Sequence, residues 1–361
     1  MSEYYSTVSR SQTCERRTDE VSGRSSRGTS NVQAAPAAVS AQGNWADTNK
    51  YCFGIDVGGT TVKIGLFDEE GALLEKWEIP TRTAENGKNI LPDIAQALRD
   101  KLTEKKLSRE EVLAVGIAVP GPVEKDGKVH RAANLGWGEF NLSEEFSRLT
   151  GFRTVAGNDA TVAVLGEMAC GGGKGYRNLV LATLGTGLGG GIIIDGQALY
   201  GSRGAGAEIG HMHFNDDETE VCGCGNKGCF EQYASATGLV RIGRRVLQET
   251  DEESALRGKE LTAKAIYDEV KNGDKLALKI AEEYEGYLGK GFAMIAAVVD
   301  PEVFLIGGGV SKAGEILLPG IEKQYRKYAF HANQNAEFKL ATLGNDAGIY
   351  GAVRLVLDNA E

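Results

Sequence analysis

Twice in this chain a run of β-branched and aliphatic residues is broken by a short glycine turn and then resumes. The first instance is YCFGIDVGGTTVKIGLFD at 51–68, and the second is NLVLATLGTGLGGGIIIDG at 178–196. Paired apolar runs joined by glycines predict β-hairpins. After the first come a further strand, ALLEKWEI, then a helix with Ile90, Leu91, Ile94, Leu98 and Leu102 on one face, then the buried strand VLAVGIAVPGPV. Pro92 fits that helix because it lies near its start. After the second come QALYG as another strand, a helix-rich region that includes 276–299, the strand VFLIGGGV and the closing helix AGIYGAVRLVLDNA. A hairpin sheet followed by helices, repeated, predicts a duplicated α/β architecture of two lobes with a cleft between them.

The 361 residues leave room for two domains. The 49 glycines are nearly double the ~7% of average usage, so many tight turns or close approaches of backbone to a ligand are expected. A net charge of −10 opposes a protein that coats nucleic acid. No apolar run approaches the ~20 residues of a membrane helix, so no membrane partner is expected. Of six cysteines, Cys222, Cys224 and Cys229 fall close together, which is not a disulfide framework; a reducing, cytoplasmic setting is expected. The run VSGRSSRGTSNVQAAPAAVSAQGN has almost no large apolar residues, so residues 1–50 are expected to form a disordered extension. That segment has neither the apolar centre of a secretory signal nor, with Glu3, Glu15, Asp19 and Glu20, the composition of a transit peptide.

The first turn, DVGGTTVK, has two explanations. Gly58-Gly59 is either a hairpin turn that uses glycine's tolerance of positive φ, or a cradle offering backbone N–H groups to phosphate. LGTGLGGG at 184–191 supplies a second glycine-rich hairpin and IGGGVS at 306–311 a third, which favours the cradle. Neither a Walker spacing nor G-x-G-x-x-G between strand and helix is present. Asp56 then suits a hydrated Mg²⁺ and Thr60 a phosphate oxygen, while Lys63 is either a phosphate contact or an exposed strand lysine.

In EIGHMHFNDDETEVCGCGNKGCFEQ, at 208–232, His211, Cys222, Cys224 and Cys229 make the one-imidazole, three-thiolate set of a closed structural zinc site. His213 could replace His211. In AGNDATVAVLGEM a strand-to-helix junction is expected, where Asn158 or Asp159 could serve as an N-cap. Beside phosphate turns and Mg²⁺, Asp159 is also the carboxylate that phosphoryl transfer to a hydroxyl requires as proton acceptor.

From about Tyr51 to the C-terminus the chain resembles the ROK family of sugar kinases and repressors. DVGGTTVK resembles its first phosphate motif, LATLGTGLGGGIIIDGQALYGSRGAGAEIGH its signature region, and CGCGNKGC with Phe230-Glu231 its zinc loop. NLGW at 134–137 and GNDAGIYGA at 344–352 make it most similar to the bacterial ATP-dependent glucokinases of that family. The resemblance implies a two-lobed actin/hexokinase-like (ribonuclease H-like) duplicated fold with an interlobe cleft. It divides the chain into a small lobe, 51–163 plus 345–361, and a large one, 164–344, that carries the zinc loop. It implies Asp159 as catalytic base, and Asn158, Glu208, His211 and Glu231 as sugar contacts, with His211 also on zinc. For ATP it implies Gly58, Gly59 and Thr60, then Gly185 and Thr186 at the phosphates, and Gly307, Gly308 and Gly309 near the adenosine. Glucose, ATP and Mg²⁺, a structural Zn²⁺ and a homo-oligomer (dimer or tetramer) complete what it implies. The family's repressors carry a helix-turn-helix ahead of the kinase-like part; the residues before Tyr51 lack the apolar periodicity and basic helix of such a reader, so no nucleic-acid partner is expected.

Overall fold

The computed structural model describes residues 50–358; the extension expected over 1–50 lies, apart from Lys50, outside them. Strands β1 (Tyr51–Val57), β2 (Thr61–Asp68) and β3 (Leu73–Pro80) form an antiparallel meander. Helix α1 (Ile90–Lys105) leads to β4 (Val112–Val119), and after the short strands β5 (Lys128–Val129) and β6 (Phe140–Asn141) comes α2 (Leu142–Thr150) and then β7 (Thr154–Asn158). The first sheet has the order β3-β2-β1-β4-β7, with β1, β4 and β7 parallel.

Helix α3 (Asp159–Cys170) crosses to the second half of the chain. There β8 (Leu179–Leu184), β9 (Leu188–Ile194) and the short β10 (Gln197–Ala198) again form a meander. Helices α4 (Glu231–Ala234), α5 (Ala236–Gln248), α6 (Ala263–Lys271) and α7 (Lys275–Val299) follow. Then come β11 (Val303–Gly307), α8 (Leu317–Tyr328), β12 (Glu337–Leu340) and α9 (Ala347–Asp358). The second sheet has the order β10-β9-β8-β11-β12 with β8, β11 and β12 parallel, which repeats the first sheet's connectivity strand for strand. The duplication expected from the hairpins is therefore a duplication of topology.

Side chains alternate between the faces of each sheet with a period of two. On one face of the first sheet, Phe53, Ile55 and Ile117 share a core with Ile94 and Leu98 of α1 and Phe146 of α2. On the second sheet, Val180, Phe304 and Ile306 share a core with α5 to α8. The inner faces carry α9 and α3. Ile349 and Val353 of α9 meet Cys52, Phe67 and Ala114, while Val164 and Leu165 of α3 meet Leu181, Ile193 and Leu305.

Many glycines serve this layer rather than turns. A Cβ at Gly116 would lie 1.9 Å from the Ala352 carbonyl oxygen of α9, and one at Gly191 would lie 2.5 Å from the Ala160 oxygen of α3. Where α3 and α9 cross, a Cβ at Gly351 would lie 1.7 Å from the Val162 oxygen and one at Gly166 would lie 2.9 Å from the Gly351 nitrogen. The helices touch backbone to backbone. Gly351→Ala should therefore cost ~1–3 kcal/mol, the usual penalty of overpacking, read as a lower denaturant midpoint. Gly286→Ala is its control: that glycine lies within α7 with nothing within 4 Å of an added methyl, and should gain about 0.5–1 kcal/mol from helix propensity. Equal midpoints for the two variants would show that the crossing is not tight.

Candidate active site

The carboxyl ends of the parallel strands in both sheets open on one cleft of about 1200 Å³. Asp159 stands in it because β7 ends at Asn158 and α3 starts at once. The Asn158 amide oxygen caps that helix, accepting from the N–H groups of Ala160 and Thr161 at 3.1 and 3.0 Å. Its Nδ2 donates to the Gly121 oxygen at 3.1 Å and to Asp159 Oδ1 at 3.0 Å. Asp159 Oδ1 also accepts from the Ala160 N–H at 2.8 Å, so its hydrogen bonds converge on one oxygen, and Oδ2 accepts from no donor among the described residues. The N-cap expected at this junction is Asn158, and the capping amide holds the carboxylate beside it.

Enclosure by the cleft walls, joined by the negative charges of Asp56 and Glu208, pushes the Asp159 carboxyl up to about 6, against the lowering pull of the Ala160 and Asn158 donors. The side chain is nonetheless reached by water. Solvent moderates the enclosure while the cleft is open, and the neighbouring carboxylates keep their effect. Asp56 is pushed upward by burial, with Lys63 opposing.

Glu208, His211 and Glu231 line the same cleft. Glu208 makes no side-chain hydrogen bond or ion pair with the described residues. Glu231 Oε2 accepts from the Leu188 N–H at 3.0 Å, and its Oε1 lies 3.4 Å from Cys222 Sγ. A Cβ at Gly187 would lie 2.2 Å from that carboxylate, so the last glycine of Gly185-Thr186-Gly187 makes room for Glu231.

Behind His211 the ligand atoms of His211, Cys222, Cys224 and Cys229 lie within 4.8 Å of one another. Cys224 and Cys229 Sγ are 3.6 Å apart and Cys222 Sγ is 3.8 Å from His211 Nδ1. Those are edges of a tetrahedron whose centre-to-ligand distances are roughly 2.0–2.3 Å, so the donor set fits zinc. The sulfur separation is well beyond the ~2.05 Å of a disulfide. His213 is committed elsewhere, with Nδ1 3.2 Å from the Lys227 oxygen and Nε2 2.7 Å from Asp216. Of the two histidines only His211 joins the cluster.

The glycine turns differ in part from expectation. Neither Gly58 nor Gly59 has positive φ; Gly58 instead donates to the Thr61 oxygen at 3.0 Å, and its Cβ would meet that same atom at 2.9 Å. Gly307–Gly309 do not form a third hairpin, because β11 runs parallel to both neighbours and leads into a 3₁₀ turn. Gly308 does have positive φ, +83°, and lies against the backbone of Leu184, which brings the second and third turns together. Gly185, Gly307, Gly308 and Gly309 line the cleft along with Asp56 and Lys63. Gly58, Gly59, Thr60 and Thr186 do not. Lys63 is neither fully exposed nor free: Nζ is 3.5 Å from Asp56 and donates to the Asn345 oxygen at 3.1 Å.

Sequence reasoning missed Glu167, Ser311, Lys312 and Asn345, which also line the cleft. For Glu167 a signal existed, since an acid within the apolar run VAVLGEMAC is out of place on a buried face. Among the described residues no helix is long and apolar enough to cross a membrane.

A family model described as ROK family matches residues 52–359. The chain belongs to the ROK family. A glucokinase of Halalkalibacterium halodurans is 39% identical over 315 residues, covering 86% of this chain and 96% of its own length. The crystal structure of a ROK family glucokinase from Streptomyces griseus, in complex with glucose and AMPPNP, matches with a TM-score of 0.69 at 35% identity, covering 84% of this chain and 98% of that one. A ROK family transcriptional regulator, a homologue of the E. coli MLC protein, matches with a TM-score of 0.75 at 25% identity over 86% of this chain and 78% of its own. The fold is accordingly the two-lobed actin/hexokinase-like fold of ROK sugar kinases. Kinases and regulators share it, so the chemistry has to be argued from the cleft.

Proposed function

We propose that this ROK protein is an ATP-dependent glucokinase, transferring the γ-phosphoryl group of ATP to the 6-hydroxyl of glucose to give glucose 6-phosphate and ADP. The observation that carries this is the Asp159 carboxylate, oriented through Oδ1 and open at Oδ2 in a cleft that also holds glycine turns. Asp159 accepts the proton of the 6-hydroxyl as that oxygen attacks phosphorus and the bond to the ADP oxygen breaks. Glu208, Glu231 and the His211 nitrogen not turned to the cysteines bind sugar hydroxyls. Asn158 joins them by giving up its Gly121 partner. The β1–β2 turn, with Gly58, Gly59 and Thr60, and the β8–β9 turn, with Gly185 and Thr186, hold the phosphates; Gly307–Gly309 flank the adenosine. Gly58–Thr60 and Thr186 lie outside the lining of the cleft, so their contact with the phosphates requires the cleft to close.

Asp56, a hard oxygen donor in the cleft, fits a hydrated Mg²⁺, whose positive charge would offset the negative charge of the phosphates. Lys63 then turns from Asp56 toward a phosphate. Zn²⁺ held by His211, Cys222, Cys224 and Cys229 supplies no reactive position and fixes the orientation of the imidazole and of the loop that carries it. We divide the chain into a small lobe, 51–163 plus 345–361, and a large one, 164–344, and place the enzyme in the cytoplasm as a dimer or tetramer.

The test is coupled ADP release across a panel of hexoses. Glucose should be turned over in an ATP- and Mg²⁺-dependent way, and N-acetylated hexosamines more weakly. Turnover of another sugar with none of glucose would refute the substrate assignment.

A further inference from the structure

Ala160, Ala163 and Glu167 of α3 all line the cleft, and their spacing of three and then four residues places them on one face of the helix. The alanines leave room. Glu167 is different: its side chain has no exposed surface and no cation pairs with it among the described residues. An uncompensated carboxylate there would be strongly destabilising. Its partners are three backbone N–H groups: Gly172 and Thr342 donate to Oε2 at 2.8 and 3.0 Å, and Leu343 donates to Oε1 at 2.8 Å. Thr342 and Leu343 are successive amides, and with Gly172 they make an anion nest filled by the chain's own carboxylate. The approach of Gly171 is part of the same arrangement, because a Cβ there would lie 2.0 Å from Oε2.

The segment pinned by this nest is the return crossing from β12 to α9. Ala341 donates its N–H to the Ile306 oxygen at 2.9 Å and its methyl lies 3.3 Å from where a Cβ on Gly307 would stand. Gly344 and Asn345 line the cleft beyond it. Lys63 reaches the Asn345 oxygen from β2 and Lys76 pairs with Asp346 at 2.6 Å from β3. The wall beside Gly307–Gly309 is thus tied from the first sheet at one end and from α3 at the other. The helix that starts with Asp159 carries, ~12 Å further on at ~1.5 Å per residue, the carboxylate that holds this wall.

We propose that Glu167 is a positioning residue for the phosphoryl donor: it anchors 341–345 beside Gly307–Gly309 and so sets the nucleotide relative to Asp159 on the same rigid helix. This rests on the proposed kinase function, and on Gly307–Gly309 flanking the adenosine. The sugar contacts lie at the other end of α3 and do not depend on the nest.

Glu167→Gln keeps the shape but turns an amide NH₂ toward an N–H donor. Calorimetry should show the Kd of a non-hydrolysable ATP analogue rising about tenfold or more, as one buried donor loses its acceptor, with the glucose Kd changed by less than about twofold. Leu343→Pro removes one of the three bonds from the other side, at a residue whose φ of −77° suits proline, and should weaken the analogue in the same direction. Glu167→Asp, which keeps the charge, should recover part of the nucleotide affinity. An unchanged analogue Kd in Glu167→Gln, or parallel losses for glucose and nucleotide with a lower Tm, would overturn the assignment. Should Glu167→Gln not fold, Leu343→Pro decides by the same criteria. The wild-type chain is assayed alongside: binding of both ligands without turnover would defeat the kinase reading and leave the binding comparison intact.

Discussion

Asp159→Asn should lower kcat by about 10²–10⁴-fold, the usual contribution of a general base, while glucose binding survives. The substitution keeps the size of the side chain and an oxygen for the Ala160 N–H. Asn158 still caps α3, since its own amide oxygen holds Ala160 and Thr161. Stability should therefore change little, and lost turnover cannot be put down to unfolding. The pH profile adds an independent reading. A base works ionised, and this one is pushed up to about 6, so kcat/KM for glucose should fall as pH drops through that region. Retained turnover in Asp159→Asn would sink the catalytic assignment.

Cys224→Ser should leave zinc well below one per chain by elemental analysis and raise the glucose Kd by ~10-fold or more, the scale at which disturbed metal surroundings are felt. The chain of effects is local. Without the fourth ligand the imidazole of His211 loses its anchor, and Cys222, 3.4 Å from Glu231, shifts beside a second carboxylate of the cleft. A chelator should reproduce the effect on the wild type, and added Zn²⁺ should reverse it. His213→Ala should keep the metal, because that ring is held by Asp216 and the Lys227 oxygen, outside the cluster. Loss of metal in His213→Ala with retention in His211→Ala would reverse the ligand assignment.

The hairpins and most helices were legible because their signals are local: β-branched runs, glycine breaks and one apolar stripe per helix. The cluster of three cysteines with His211 was legible, but the exclusion of His213 was not, since the two histidines are two residues apart and only their partners distinguish them. Glycine misled in a specific way. Seventeen described glycines do have positive φ, as tight turns need, but at Gly58 and Gly59 φ is not positive, and at Gly116, Gly191 and Gly351 the need is for space beneath a neighbouring backbone. A sequence shows that a side chain is missing, not which atoms occupy its place. Glu167 is the extreme case, with two of its three donors lying 175 and 176 residues away along the chain.

The backbone contact between Gly166 and Gly351 also sets a lever arm. Asp159 lies seven residues from Gly166, ~10 Å along a straight helix at ~1.5 Å per residue. A roll of about 10° centred on the crossing moves groups at that radius by ~2 Å, close to the difference between a hydrogen bond and a gap that admits water. Bulk at either glycine would push the axes apart and shift the centre of that roll. The position of Asp159 is thereby geared to two residues that do not themselves line the cleft.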